Sequence, residues 1–163
     1  MNHTQPVLLQ GMEIRPEFVL LDIDTDSSAG AIGMLANRLL EEKMVNPGFL
    51  PAILKREEDY CTGLAFPEMG IAIPHTDPEH VVKPCIAIGV LRRPVVFGSM
   101  GTPDTPCEVE MVFMLGINQP ETQLDFLKTL MTTFQTPGRL PALKSAATPG
   151  ELVEIFKSFF TIQ

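Results

Sequence analysis

The stretch "EVEMVFMLGI", residues 108–117, is the strongest strand pattern in the chain. Its centre is apolar without interruption, which is typical of a strand covered on both faces of a sheet. Shorter apolar stretches at 71–73 and 85–92 predict two further strands, and residues 94–98 continue as a strand or as the arm of a hairpin. A group of buried strands in the middle of the chain is therefore expected.

Helical patterns surround this group of strands. A first short strand is predicted over 15–24, before a helix with N-cap oxygens at 26–28. Proline and glycine predict a loop at 61–70 and a turn at 98–107. The predicted helices lie at 25–45, at 47–60, between Pro120 and Pro137, at 139–147 and at 149–160.

This order of elements predicts an α/β fold with a mixed sheet of about five strands and helices on both faces. The chain has 163 residues, which is enough for one domain. We expect a single domain over 1–163, with residues 1–7 as a loose tail.

Composition and charge exclude several classes of function. There are 12 basic and 20 acidic residues, a net charge of −8 that argues against a nucleic acid or an anionic membrane as partner. No apolar segment approaches the roughly 20 residues that span a bilayer, and the N-terminus does not resemble a signal peptide. The three cysteines form no C-x-x-C pattern. A cytoplasmic protein is the expectation.

Among the three histidines, His75 has the most informative position. It follows the predicted strand 71–73, and Pro74 holds the preceding Ile73 in extended geometry. An imidazole held at a strand end can act as a nucleophile, a base or a metal ligand. A surface histidine in a turn is the alternative. His3 lies in the predicted tail.

Ligand-type side chains follow His75 in the same loop, at Asp77, Glu79 and His80. Pro78 prevents a regular helix there, and no H-E-x-x-H motif is present, so no metal site is predicted. Walker, dinucleotide and G-x-S-x-G patterns are absent from the sequence, and no cofactor is expected. A histidine that carries a phosphoryl group needs none of these motifs.

A phosphoryl carrier does need a cation near the phosphoryl oxygens. Arg56, near the end of the second predicted helix, is the best candidate, followed by Arg92 or Arg93. The alternative for Arg56 is a solvent-exposed helix end, because acidic residues follow it at 57–59.

Four segments in a fixed order resemble one known family. "KRE" at 55–57 precedes "GIAIPHTDPEHV" at 70–81, which is followed by "CIAIGVL" at 85–91 and "PVVFG" at 94–98. Together they resemble the IIA domain of the bacterial sugar phosphotransferase system, in its mannitol–fructose structural class and most closely its galactitol-type members. The resemblance extends from about residue 8 to 160, and the "AIPH" segment is its most specific part.

The resemblance implies a defined reaction. His75 would accept a phosphoryl group from the phosphohistidine of the carrier protein HPr and become a tele-phosphohistidine. It would then pass the group to the active cysteine of a sugar-specific, galactitol-type IIB component, which serves a membrane IIC. Arg56, at the family's arginine position, would contact the phosphoryl oxygens.

Given the resemblance, three further residues are candidates for stabilising the phosphoryl group. Thr76 could donate a hydrogen bond to the phosphoryl group. Mannitol-type relatives have a second histidine in an "H-L-x-x-L" pattern; here Gln123 occupies that place and could only stabilise the group through a hydrogen bond. His80 could lie near His75 or have a purely structural role.

Two other functions remain open at this point. A regulatory relative of the same fold would carry the phosphohistidine but bind regulatory targets. A catalytically idle binding module would accept no phosphoryl group from phospho-HPr.

Overall fold

The computed structural model describes residues 7–160, and a mixed sheet of seven strands forms its centre. The strands are β1 (Val7–Leu9), β2 (Met12–Ile14), β3 (Val19–Ile23), β4 (Gly63–Ala65), β5 (Gly70–Ala72), β6 (Cys85–Ser99) and β7 (Thr102–Gly116). The expected α/β class is confirmed, and the sheet is larger than the predicted five strands. Residues 1–6, including most of the predicted tail and His3, lie outside the described residues.

The sequence prediction was wrong in three short regions. β1 and β2 form a hairpin at the N-terminal side, and β4 lies within the predicted loop 61–70. β6 runs without a break to Ser99 and β7 begins at Thr102, so most of the predicted turn at 98–107 is strand. Three-residue strands are too short to show a period of two, and pairing with a neighbouring strand overrides the local preference of proline and glycine for turns.

β6 and β7 form the long central pair of the sheet and run antiparallel. β2 and β3 pair with β6 in parallel, while β5 pairs with β7 in parallel and with β4 in antiparallel orientation. Parallel and antiparallel pairs thus share one sheet, as predicted.

Within residues 7–160, five α-helices cover this sheet: α1 (Ser28–Glu41), α2 (Phe49–Asp59), α3 (Pro120–Phe134), α4 (Arg139–Lys144) and α5 (Pro149–Ser158). Successive residues of β7 point to opposite faces, so Phe113 and Leu115 join a core with α3, α4 and α5. Val112 and Met114 join a second core with α1 and α2. The continuous apolar pattern of β7 therefore predicted a doubly covered strand correctly. None of the described helices has the length and apolar character needed to cross a membrane.

The β4–β5 hairpin is small, but glycine allows it to lie very close to its neighbours. A β-carbon on Gly70 would be 2.1 Å from the carbonyl oxygen of Glu108 on β7, and one on Gly63 would be 2.6 Å from that of Gly98 on β6. Side chains at either position would push the hairpin away from the central pair. This close packing holds the end of β5 against the central strands, and His75 follows Ala72, the last residue of β5, by three positions.

Candidate functional site

His75 is carried by a buried and tightly bonded segment. Ile73 and Pro74 are buried after the end of β5, and the Leu115 N–H donates to the Pro74 carbonyl at 3.0 Å. The Ile73 N–H donates to both the carbonyl and the hydroxyl oxygen of Thr62, at 3.3 and 3.2 Å. The predicted stiff exit from the strand is therefore held by bonds from β7 and from the start of β4.

The imidazole of His75 has one nitrogen engaged. Nδ1 lies 2.9 Å from the carbonyl oxygen of Ile73. A carbonyl oxygen can only accept, so Nδ1 carries the proton and donates it. Nε2 then keeps its lone pair, which makes it the nucleophilic nitrogen of the ring.

Burial lowers the pKa of His75 below its usual value of 6.5. The hydrogen bond to Ile73 acts in the opposite direction and raises the pKa, while the positive charge of Arg56 lowers it further. The two lowering effects exceed the raising one. The ring is thus neutral at pH 7, the state in which Nε2 can attack an electrophile.

A direct titration checks this protonation state. We expect the His75 ring, followed by NMR, to titrate with a midpoint below 6.5, because the folded protein disfavours the charged ring. The unfolded chain takes up the proton at higher pH, so this residue lowers the free energy of unfolding as the pH falls from about 6.5 towards the midpoint in the folded protein. The assignment of the ring signals comes from His75→Ala, and a midpoint at or above 6.5 would contradict the prediction.

A cavity of about 230 Å³ opens beside His75. Its polar side is formed by Arg56, His75, Thr76 and Asp77. Its apolar side is formed by Pro78, Ile117, Pro120, Leu124 and Leu127. Arg56, His75 and Thr76 are three of the five residues that sequence analysis proposed for one site, and the fold brings these three together from α2 and from the segment after β5.

Arg56 lies in the last turn of α2, and its side chain is 37 % exposed at the edge of this cavity. Its guanidinium carbon lies 5.0 Å from the ring centre of Tyr60. Its Nη1 lies 3.9 Å from a carboxylate oxygen of Asp77, a weak ion pair. The contact with the aromatic ring positions a guanidinium group that lines the cavity.

Arg92 and Arg93, the other candidate cations, are engaged elsewhere. Arg92 forms two hydrogen bonds with Asp22, at 2.9 and 2.8 Å, and one with Asp24 at 3.1 Å. Arg93 pairs with Asp24 at 2.8 Å. Neither arginine lines the cavity beside His75.

Thr76 and Gln123 have different surroundings. Thr76 is buried and lines the cavity directly after His75. Gln123 is also buried, but its Oε1 accepts the backbone N–H groups of Asn118 and Gln119 at 2.8 and 3.0 Å, which closes the N-terminus of α3. It does not line the cavity, although the next residue, Leu124, does.

His80 lies at the end of the 3-10 turn Pro78–His80 and is not among the residues that line the cavity. Its ring is so close to Gly48, before α2, that a β-carbon there would be 2.8 Å from Nδ1. The His80 carbonyl accepts the N–H of Asn46 at 3.0 Å. Among the described residues, no three histidine, cysteine or carboxylate side chains converge as metal ligands would.

Sequence analysis did not predict that Glu57 is buried. It grouped this residue with an exposed acidic run, yet Glu57 is buried whereas Glu58 is exposed. The available signal was helical spacing, since Phe49, Ile53 and Glu57 recur every four residues and all three are buried.

The arrangement of sheet and helices is that of a IIA domain of a sugar phosphotransferase system. A solved complex of enzyme IIA-mannitol with phosphorylated enzyme IIB-mannitol from Escherichia coli matches 90 % of this chain and 99 % of the matched chain, at 18 % identity and with a TM-score of 0.72. At that identity the likeness concerns the fold.

The chain belongs to the EIIA 2 family of the phosphoenolpyruvate-dependent sugar phosphotransferase system, whose family model matches residues 12–159. It is 29 % identical over 105 residues to the galactitol-specific EIIA component of Escherichia coli K12, covering 63 % of this chain and 68 % of that protein. It is also 26 % identical over 143 residues to the transcriptional regulator ManR of Bacillus subtilis 168, covering 88 % of this chain but 20 % of the regulator.

Proposed function

We propose that this chain is the phosphoryl carrier of a cytoplasmic sugar phosphotransferase pathway, with His75 as the phosphorylated residue. Nε2 of the neutral ring attacks the phosphorus atom of the phosphohistidine of HPr. A new N–P bond forms at Nε2 while the N–P bond in HPr breaks, and the HPr imidazole leaves with the electron pair. The product is a tele-phosphohistidine.

The contact between Nδ1 of His75 and the Ile73 carbonyl is the observation that supports this proposal most strongly. It keeps a proton on Nδ1 before the attack, so the reacting nitrogen needs no base to free it. The same bond stabilises the positive ring that results when Nε2 acquires the phosphoryl group. The reaction therefore balances without any proton transfer by a second side chain.

Arg56 would stabilise the negative oxygens of the transferred group, because it is the one cation among the described residues that line the cavity with His75. Thr76 would donate a hydrogen bond from its hydroxyl or backbone N–H. Gln123 and His80 were also predicted near the group. For these two, the bonds at the start of α3 and the packing against Gly48 favour a supporting role for the walls of the site.

The acceptor of the phosphoryl group would be a cysteine of a separate IIB component. Burial raises the pKa of the chain's own Cys85 to about 12, and burial also raises the pKa of Cys61 and Cys107. Thiols of this kind are poor nucleophiles at pH 7. The match to the galactitol-specific component favours a galactitol-type IIB, which would serve a membrane IIC.

Docking of a partner would complete the site. Leu124, which lines the cavity, is 51 % exposed, and Tyr60 beside Arg56 is 65 % exposed, so exposed apolar surface is present around the cavity. A protein partner that covers this surface excludes water and aligns donor and acceptor in line. Water exclusion also protects the phosphohistidine from hydrolysis during transfer.

Intact mass tests the proposal directly. Incubation with enzyme I, HPr and phosphoenolpyruvate should add one acid-labile phosphoryl group, and subsequent addition of a galactitol-type IIB should remove it. Omission of HPr is the control and should prevent the gain in mass. No gain, in a reaction where HPr itself is phosphorylated, would favour the idle binding module.

A regulatory role is the second candidate, and the match to ManR supports it. In that case the chain would still accept the phosphoryl group from HPr, but the phosphorylated form would bind a regulatory target. Transfer to galactitol-type IIB separates the two functions, since the regulatory form would retain its phosphoryl group in the presence of IIB.

A further inference from the structure

Glu57 is a buried carboxylate with no part in the phosphoryl transfer described above. It lies in the last turn of α2 beside Arg56, and only 9 % of it is exposed. A carboxylate in such a place is unfavourable unless hydrogen bonds replace its lost water. Glu57 therefore depends on specific donors, and these lie at the start of β4.

Thr62 supplies both donors. Its backbone N–H lies 2.9 Å from Oε2 of Glu57, and its hydroxyl oxygen lies 2.9 Å from Oε1. A hydroxyl has one proton, and an ionised carboxylate can only accept, so the Thr62 hydroxyl donates to Glu57. Burial raises the pKa of Glu57, and the two bonds from Thr62 oppose that shift by stabilising the ionised form.

Thr62 also holds the backbone of Ile73. The N–H of Ile73 donates to the Thr62 hydroxyl oxygen at 3.2 Å and to the Thr62 carbonyl at 3.3 Å. The carbonyl of the same Ile73 accepts the proton on Nδ1 of His75 at 2.9 Å. The backbone of Ile73 is thus held at its N–H end by Thr62, while its carbonyl end holds the His75 ring.

Glu57 consequently connects the two halves of the site. Through the helix backbone it fixes the turn that carries Arg56, and through Thr62 and Ile73 it fixes the carbonyl that orients His75. The connection to His75 consists of hydrogen bonds of 2.9 to 3.2 Å between buried and partly buried groups, and such bonds restrict motion more than exposed ones do.

We propose that Glu57 is a positioning residue that sets the tautomer of His75 and its distance from Arg56. This inference rests on the proposed function for its effect on transfer, but its effect on the ring is independent of that function. Glu57 itself touches neither the phosphoryl group nor the reacting nitrogen.

Glu57→Gln is the most informative substitution, because it keeps the shape of the side chain but replaces one acceptor oxygen by an NH₂ donor. One of the two Thr62 donors then loses its acceptor, and the hydroxyl is free to rotate. We expect the His75 ring to show a mixture of tautomers in the nitrogen chemical shifts measured by NMR. We also expect phosphoryl transfer from phospho-HPr to slow about 10- to 100-fold, as a small misplacement of reacting groups does.

Glu58→Gln is the matched control, since Glu58 is the adjacent residue on the same helix and is exposed. It should leave the tautomer and the transfer rate unchanged. Thr62→Val removes only the hydroxyl and should reproduce the tautomer mixture, while Thr62→Ser retains the hydroxyl and should restore the wild-type spectrum. Thermal melting of each variant identifies any that fails to fold, and the Thr62 pair decides the question if Glu57→Gln does not fold.

A folded Glu57→Gln variant with a single Nδ1–H tautomer and a transfer rate within about twofold of wild type would overturn the inference. If the wild-type chain accepts no phosphoryl group, the proposed function fails. The NMR comparison then still tests whether Glu57 positions His75, so the two failures are distinguishable.

Discussion

Replacement of His75 by alanine will abolish acceptance of the phosphoryl group from phospho-HPr. The substitution removes the nitrogen that forms the new N–P bond, and none of the other described residues that line the cavity has an imidazole to take its place. We expect single-turnover labelling to fall by at least about a thousandfold, to the background of the assay. Intact mass and acid lability of the label measure this directly.

The fold should survive this change. The His75 side chain is at the surface of the cavity, and its only hydrogen bond to another described residue is the one to Ile73, a bond that contributes about 1 kcal/mol. His80→Ala is the matched control, because it removes a histidine from the same loop that does not line the cavity. It should retain labelling. A phosphoryl gain that persists in His75→Ala would assign the carrier site to another residue.

Replacement of Arg56 by alanine will have the second largest effect. The phosphoryl group carries negative oxygens during transfer, and in the part of the chain that the structure describes Arg56 is the one cation that lines the cavity with His75. Loss of one such preorganised donor typically slows a reaction about 10²- to 10³-fold. Rapid-quench measurement of transfer from phospho-HPr should show this decrease, with a smaller decrease for Arg56→Lys, which keeps the charge but loses the planar fork.

Arg92→Ala is the matched control for Arg56. Arg92 is also an exposed arginine, but its guanidinium N–H groups donate to the carboxylates of Asp22 and Asp24. Its removal should leave the transfer rate unchanged. If Arg56→Ala transfers as fast as Arg92→Ala, Arg56 belongs to the solvent-exposed end of α2 and a different group neutralises the phosphoryl oxygens.

Most of the fold prediction depended on the pattern of apolar residues along the sequence, because in a long helix or strand this pattern shows which faces are buried. The pattern of β7 indicated a strand with two covered faces, and both faces are indeed buried under helices. The same approach failed for β1, β2 and β4, whose three residues contain no readable period. These strands form because they pair with neighbouring strands: β1 with β2, β2 with β6, and β4 with β5 and β6. Such pairing is a property of the sheet.

The sequence alone determined the α/β class, the family resemblance and the special position of His75, because all three depend on contiguous residues. Pro74 and the buried Ile73 restrict His75 locally, and no distant contact is needed to predict a stiff strand exit. The sequence ranked Arg56 before Arg92 as the candidate cation, but only the tertiary structure shows that Arg56 lines the cavity with His75 while Arg92 bonds to Asp22 and Asp24. Which cation lies beside His75 depends on how α2 packs against the end of β5.

The surroundings of Glu57 and Gln123 were likewise decided by the tertiary structure. Each is a polar residue whose hydrogen-bond partners lie in a neighbouring connecting segment. For Glu57 the partner is Thr62, directly before β4, and for Gln123 the partners are the residues before α3. Local sequence fixes which face of a helix a side chain occupies. Which residues of the sheet face that side of the helix depends on the register of the strands, and the register depends on the packing of the whole chain.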